Sequence, residues 1–560
     1  MRKIVIFLLL FFVAVFGKAQ TEANCFRVYL HDKAESPFSV ERPQDFLSHR
    51  AIEKRSRFGI AVLEEDLPVN PSYRSGIVAI SDSIRILSVS KWMNTVTVYC
   101  PEEADLQSIM ELPFVDSIRA VGFYQGMVDR VLHYQHHESS LEVGVNDTLY
   151  GVGEPQIALH NGQLLHAEGY RGEGMLIAML DAGWTGFDES SYFQQLYENG
   201  QIWGTYNLVP GFGNDVYCGH SHGTSCASII LSSIVSGWDT LVGTAPKANM
   251  VFIRTEDPDY EQLIEEDFWV NGAELADSLG ADVITSSLGY TDFDGQFDYS
   301  SCDGITSMAS RAATKAAHKG MVVCIAAGND GANEWHKLSR PADAEDVLCV
   351  GAVNADSIYA PFSSCGPSFD GRVKPDVASC GWNTFVVYIW NDDENQEWHD
   401  YIVSGNGTSF ATPDLAGLAT CLWQALPQLN SLEVMQIIRE AGHQFATPDT
   451  LMGYGIPNFY QAWLDHRTDT VISVQESYLP HSTFHLYPNP CQSTLTIENP
   501  DGLHINICIY DLMGRVMYAD GDFSGEGERV LNTGSWPSGV YFARIQRRTG
   551  NAEILKFVRE

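Results

Sequence analysis

At 560 residues, with 45% hydrophobic and 11% aromatic side chains, the chain holds material for several globular cores and does not read as disordered. Its 71 acidic against 34 basic side chains leave a formal net charge of −37. That balance argues against nucleic acid as a partner, because phosphate recognition needs clustered Lys and Arg.

The N-terminus reads as an export address. Arg2 and Lys3 precede an apolar run from Ile4 to Phe16, and Gly17, Lys18 and Ala19 follow. Residues 1–19 therefore read as a secretory signal peptide cut after Ala19, too short and wrongly flanked for a membrane span. Cys25 lacks the small-residue context of a lipid-modified cysteine. No later stretch approaches the ~18 uninterrupted apolar residues that a spanning helix needs. Export permits disulfides, but the 12 cysteines are scattered. Cys324 and Cys349 sit in apolar, strand-like runs and are expected to be buried free thiols.

Residues 20–125 form a first module. Strands are expected at Arg27–His31, Ile84–Ser90, Thr95–Cys100 and Ile118–Phe123, with helices over Phe46–Phe58 and Ala104–Glu111. The order β-α-β-β-α-β suits a split βαβ unit. Residues 126–155 then turn polar, with His133, His136, His137, Glu138, Ser139 and Ser140. An exposed linker is expected there, a metal-binding cluster being the competing reading.

Residues 156–465 read as α/β. Apolar runs alternate with helical stretches and end in small or polar residues: Met175–Leu180 at Asp181, Met250–Ile253 at Arg254, Val283–Thr285 at Ser286, and Met321–Ala327 at Gly328 and Asn329. Continuous apolar strands with intervening helices predict a parallel sheet covered on both faces, with chemistry at the strands' carboxyl ends. Further on, Gly405-Asn406-Gly407 leads into Thr408, Ser409 and the apolar-periodic Leu415, Leu418, Ala419, Leu422 and Trp423. This predicts a tight loop opening a buried helix, with Pro413 in its first turn. A polar connector, 466–483, precedes a tail, 484–560, of short alternating strands: His504–Tyr510, Val540–Ile545 and Glu553–Val558. Turns are expected at Met513-Gly514 and Pro537-Ser538-Gly539, as in a small β-sandwich.

Four polar residues carry candidate chemistry: Asp181, His222, Asn329 and Ser409. A serine hydroxyl needs a base to take its proton, and the base needs a carboxylate to fix its tautomer. A side-chain amide can serve the resulting oxyanion. Each residue also has a bland role, as turn cap, core histidine, turn asparagine or helix N-cap. A zinc site at Cys218, His220, His222 and Cys226 is a rival reading by spacing. It conflicts with His222 as a free base.

The stretches Met179-Leu180-Asp181-Ala182-Gly183, Ser221-His222-Gly223-Thr224, Ala326-Ala327-Gly328-Asn329 and Gly407-Thr408-Ser409-Phe410-Ala411-Thr412-Pro413 resemble the subtilisin-like serine proteases, as does the order Asp, His, Ser. Gly243-Thr244-Ala245-Pro246, Ser287-Leu288-Gly289 and Lys374-Pro375-Asp376-Val377 extend the likeness over about 300 residues. The resemblance implies a secreted endopeptidase in which Asp181 orients His222, His222 is base then acid, and Ser409 is the nucleophile. The Asn329 amide and the Ser409 N–H would form the oxyanion hole. Ser287, Leu288, Gly289, Ala326, Ala327 and Gly328 would pair with substrate backbone.

Two positions depart from the family pattern: Ala182 stands where Ser or Thr is common, and Ser225 where a second His is. They motivate the alternative of a catalytically inactive subtilase-fold surface binding protein. The first module, with Ser90-Lys91-Trp92-Met93-Asn94, resembles the propeptides of secreted Bacteroidetes subtilases and would act as chaperone and intramolecular inhibitor until cut within 126–155. The tail, with Tyr487-Pro488-Asn489-Pro490 and Ser538-Gly539-Val540-Tyr541, resembles the C-terminal sorting domain of type IX secretion. That implies the secretion machinery as partner and release or attachment at the cell surface. Asp330 is a candidate for favouring basic substrate side chains. No cofactor is expected to be required; Asp392-Asp393-Glu394 could hold calcium, though a solvated acidic face is the competing reading.

Overall fold

A computed structural model describes residues 23–123, 149–467 and 484–560, apart from 212, 236–239, 259–260, 294, 393–396, 500–503, 512–514, 524–526 and 548–551. The expected signal peptide, the histidine-rich linker, the connector, the Met513-Gly514 turn and most of the Asp392-Asp393-Glu394 run lie outside the described residues. The chain divides into two units, residues 1–467 and 468–560.

The first unit opens with β1 (Cys25–Leu30), α1 (His49–Phe58), α2 (Pro71–Val78), β2 (Arg85–Ser90), β3 (Thr95–Tyr99), α3 (Glu103–Met110) and β4 (Val115–Gly122). The strands form one antiparallel sheet in the order β2-β3-β1-β4, the split βαβ arrangement the sequence predicts. Helix α2 was not anticipated. Its Asn70 cap accepts from the Ser72 N–H and Pro71 takes the first turn, but its apolar stripe is too short to announce a helix.

The larger region begins with short helices α4 (Glu154–Ala158) and α5 (Gly162–Ala167), then β5 (Leu176–Asp181), α6 (Gln194–Glu198) and β6 (Ile202–Asn207). Helix α7 (His222–Leu231), a small hairpin β7 (Ser233–Ile234) and β8 (Leu241–Val242), β9 (Asn249–Arg254) and α8 (Glu265–Leu279) follow. Next come β10 (Val283–Ser286), α9 (Met308–His318), β11 (Val322–Ala326), β12 (Leu348–Val353) and β13 (Val377–Cys380). A long hairpin, β14 (Trp382–Asp392) and β15 (Glu397–Asn406), leads into α10 (Thr408–Ala425), α11 (Ser431–Glu440) and α12 (Phe459–His466).

Seven of these strands make a parallel sheet in the order β13-β12-β11-β10-β5-β9-β6. All residues of β5, β10, β11 and β12 are buried, which is why their sequences do not alternate. The chain runs from β5 towards β9 and β6 on one side, then returns to β10 on the other. The switch point thus lies between β5 and β10, where a crevice opens beyond the strands' carboxyl ends. Asp181 ends β5, Ser286 ends β10 and Ser287 follows it. Helix α10 packs beneath the sheet with Leu415, Leu418, Ala419 and Leu422 fully buried. Pro413 corrects the sequence reading: it is the sixth helical residue, one turn deeper than predicted. Its missing N–H frees the Ser409 carbonyl, which instead accepts from Ser287 Oγ at 2.8 Å and Cys226 Sγ at 3.3 Å.

The first module grips α8 through charge. Arg27 holds Asp267 with two bonds of 2.8 and 2.5 Å, both side chains being 2% exposed. Asp267 also accepts from Thr97 Oγ1 at 2.5 Å. Arg55 bridges Asp66 of its own module to Asp277 of α8, and Arg50 pairs with Asp282. Glu274 receives Ser90 Oγ and the N–H groups of Lys91 and Trp92 at 2.5 to 2.9 Å. Phe123, at the end of the module, exchanges backbone hydrogen bonds with the Gln262 side chain.

The second unit holds β16 (His485–Tyr487), β17 (Thr494–Asn499), β18 (Ile505–Asp511), β19 (Val516–Phe523), β20 (Gly527–Asn532), β21 (Gly539–Arg547) and β22 (Ala552–Arg559). They form sheets β16-β17-β20 and β19-β18-β21-β22 that share a core including Leu495, Ile497, Ile507, Ile509, Ala543 and Phe557. All twelve cysteines are free, Cys324 and Cys349 among the buried ones. Among the described residues no helix is long and apolar enough to cross a membrane.

The Arg27–Asp267 pair gives a direct test. Asp267→Ala strands a buried guanidinium and should lower unfolding stability by about 3–5 kcal/mol, read from the denaturant midpoint. A variant within about 0.5 kcal/mol of wild type contradicts the buried pair.

Candidate active site

The two loops that carry Asp181 and His222 are stitched together by backbone. Trp184 N–H donates to the Val216 carbonyl at 2.8 Å, Thr185 N–H to His220 at 3.2 Å, and Gly223 N–H to Gly183 at 3.0 Å. The approach is so close that a Cβ on Gly183 would stand 2.5 Å from the Cys218 carbonyl, and Gly183 has φ +148°. Glycine is required there on both counts.

The stitching delivers a defined pair. His222 Nδ1 lies 2.8 Å from Asp181 Oδ1, with Asp181 fully buried and His222 25% exposed. The Ala182 N–H donates to the same oxygen at 2.8 Å. Asp181 Oδ2 is buried with no hydrogen-bond partner, the bond that a hydroxyl at position 182 would supply. Burial, the largest single influence, works against a charged imidazolium, but the Asp181 carboxylate and then Cys226 together outweigh it and hold His222 well above its ordinary value. Cys226, one turn along α7, sits 3.9 Å from both ring nitrogens while its thiol donates to the Ser409 carbonyl.

Ser225, the second departure, faces away from this pair. Its hydroxyl donates to the Val387 carbonyl at 3.0 Å, and Val387 N–H donates to Ser228 Oγ at 2.9 Å. A histidine there would break the seam between α7 and β14.

Ser409 is the second residue of α10 and is half-buried. Its hydroxyl points to the Ser287 carbonyl at 3.4 Å rather than to the imidazole. Its N–H has no partner among the described hydrogen bonds, as expected at a helix start. Asn329 is placed by Thr408, whose N–H and Oγ1 both donate to Asn329 Oδ1, at 2.8 and 3.0 Å. With the oxygen occupied, the amide NH₂ is left to the cleft.

His222, Asn329 and Ser409 line one cavity of about 330 Å³. Ser287, Leu288, Gly289, Ala326 and Gly328 line it too. Ala327 does not: its N–H is spent on Val350 and its carbonyl on Ser339. Asp330 borders the cavity, but one carboxylate oxygen closes a turn by accepting from Asn333 Nδ2 at 3.0 Å. The rival zinc set does not assemble. Cys226 reaches the His222 nitrogens, whereas Cys218 interacts with the Asp215 carbonyl and Arg254, and His220 Nδ1 accepts from the His222 N–H. One lining residue, Glu256, carried no sequence signal. Phe410 stacks on His222 at 6.3 Å between ring centroids.

Residue type alone does not make such a site. His160, Ser379 and Asp414 also meet, with His160 Nε2 and Asp414 Oδ2 each 2.7 Å from Ser379 Oγ. All three are fully buried, and burial takes His160 down to about 4 and Asp414 up to about 8. That group is a neutral, solvent-free strut.

Comparison with known proteins bears on three segments. Residues 172–455, just over half the chain, match the sequence model described as "Subtilase family". Residues 25–131 match "Peptidase S8 propeptide domain, Bacteroidota", and residues 485–559 match "Secretion system C-terminal sorting domain". Serine protease AprX of Bacillus subtilis strain 168 is 27% identical over 333 residues, 56% of this chain and 69% of that protein. Subtilisin E of the same strain is 28% identical over 274 residues, 48% of this chain and 61% of its own. Among solved structures, a protease of Pseudoalteromonas arctica has 22% identity and a TM-score of 0.44, over 57% of this chain and 99% of that one.

The glycine at the seam yields a prediction. Gly183→Ala forces the two loops apart and should cost about 1–3 kcal/mol, measured by thermal unfolding. An unchanged melting temperature contradicts the close approach.

Proposed function

The chain belongs to the subtilase family, and on that premise we propose that it is a secreted serine endopeptidase working through Asp181, His222 and Ser409 with an acyl-enzyme intermediate. The observation that carries the reading is the 2.8 Å Asp181–His222 bond at one side of a cleft that Ser409 and Asn329 also line. Because neutral His222 keeps its proton on Nδ1 and donates it in a hydrogen bond to Asp181, its lone pair falls on Nε2, the nitrogen available to the Ser409 hydroxyl.

In the proposed sequence, Ser409 turns about its one side-chain bond from the Ser287 carbonyl to His222, a change between staggered wells. Its oxygen attacks the scissile carbonyl as His222 takes the proton. The oxyanion is held by Asn329 Nδ2 and the unspent Ser409 N–H at the positive end of α10. Collapse breaks the C–N bond, and the imidazolium gives its proton to the departing amine. Water, deprotonated by His222, then releases the acyl group from Ser409. Extended substrate lies along Ser287–Gly289, whose backbone leaves β10 at the cleft's edge.

Neither departure favours a binding protein without chemistry. Ala182 leaves one carboxylate oxygen unpaired but keeps the bond to His222, and Ser225 serves another seam. The sorting domain indicates export by type IX secretion, which matches a protease acting outside the cell. The propeptide domain, clamped on α8 with Phe123 held by Gln262, would inhibit in cis until cleaved.

Ser409→Ala should abolish peptide hydrolysis and labelling by a fluorophosphonate probe. Asn329→Ala should retain labelling but lower kcat by about 10²–10³, the range known for removing such an amide in subtilisin. Full hydrolysis by the Ser409 variant overturns the reading.

A further inference from the structure

Along an extended strand, consecutive side chains point to opposite sides. A substrate residue whose carbonyl meets Ser409 and Asn329 therefore sends its side chain one way, between Ser287–Gly289 and Ala326–Gly328. The residue before it sends its side chain the other way, towards His222. There the cavity is lined by His220, Glu256 and Pro258.

Glu256 follows β9 and is half-buried. It makes no hydrogen bond or ion pair through its carboxylate among the described residues. Cations of the region are engaged elsewhere: Arg254 directs Nη1 to Cys218 Sγ at 3.7 Å and Nε to the Glu256 backbone carbonyl at 3.4 Å, and Arg340 approaches Glu266 at 3.8 Å. Other carboxylates crowd the position. Burial first, then Asp181, push Glu256 up to about 8, with Glu261 and Asp257 adding to the shift and His222 opposing it. Such a carboxylate is poor in positive charge and gains most from a cation that the substrate brings.

We propose that Glu256 determines specificity, selecting Lys or Arg at the substrate residue immediately preceding the one that bears the scissile carbonyl. This rests on the reading of Asp181, His222 and Ser409 as the catalytic set and adds the substrate class to it. Asp330, the acidic residue the sequence suggested for this preference, is on the Asn329 side and partly committed to Asn333. Glu256 is the carboxylate left free to meet a substrate.

The test compares two peptides that differ only at that residue, Lys against Ala, as kcat/KM per fluorophosphonate-labelled Ser409 in the active protein. The Lys peptide should be favoured at least about tenfold, since a charge pair in a half-buried cleft is little screened. Glu256→Gln should bring the ratio to near one, and Glu256→Arg should turn it towards a Glu peptide. If Glu256→Gln fails to label, Glu256→Asp, which keeps the charge but draws it back, should narrow the ratio without erasing it. A wild-type ratio near one, or a ratio indifferent to these variants, overturns the proposal while leaving the catalytic reading intact. A wild-type protein that neither labels nor cleaves either peptide overturns both.

Discussion

The hydrogen bond between Asp181 and His222 is the constraint to which the surrounding structure answers. A buried carboxylate is costly unless its charge is met, and here one oxygen is met twice while the other is met by nothing. The bond survives because two loops are held at backbone distance by glycines at 183 and 223. The sheet's switch point places both loops at the same rim. Ser409 reaches that rim by a different route, from a long hairpin into a helix whose proline releases the serine carbonyl for use by Cys226 and Ser287. Three segments distant in sequence are thereby cross-tied by the groups that would otherwise be orphaned.

The acidity of the chain gains a second meaning in three dimensions. As a bulk figure it excludes one class of partner. In the fold, Asp267, Glu274 and Asp277 of α8 receive Arg27, Arg55 and Lys91, and Asp282, just before β10, receives Arg50. Buried ion pairs of this sort contribute little net stability, but removing one partner is expensive. They suit a propeptide domain that must dock in one register. The same acidity continues into the cleft at Glu256, where burial first, then Asp181, pushes the carboxyl upward.

Much of this was legible in the sequence, for a local reason. Asp181 ends a strand, His222 and Ser409 open helices and Asn329 follows β11 by three residues, each within a run of small residues, so each motif is complete in a few positions. The parallel sheet was readable because unalternating apolar runs admit few other homes. What could not be read were relations across segments. Ala327 belongs to a recognisable motif, yet its backbone is consumed by Val350 of β12 and by Ser339. Ser225 looked like a lost catalytic neighbour and is a seam to β14. Asp330 sat beside the oxyanion asparagine in sequence, but Asn333 engages it, while Glu256 carried no motif at all. His160, Ser379 and Asp414 have the right residue types and no solvent. Exposure and partnership, not composition, separate the two groups.

Asp181 governs the charge of His222. Labelling the imidazole carbons and following their resonances against pH measures this directly. His222 should titrate above the ordinary imidazole value of about 6.5, and in Asp181→Asn, with only Cys226 left to oppose burial, it should titrate lower than in the wild type. A His222 that titrates at or below the ordinary value in the wild-type protein, or that is unmoved by the substitution, would contradict it.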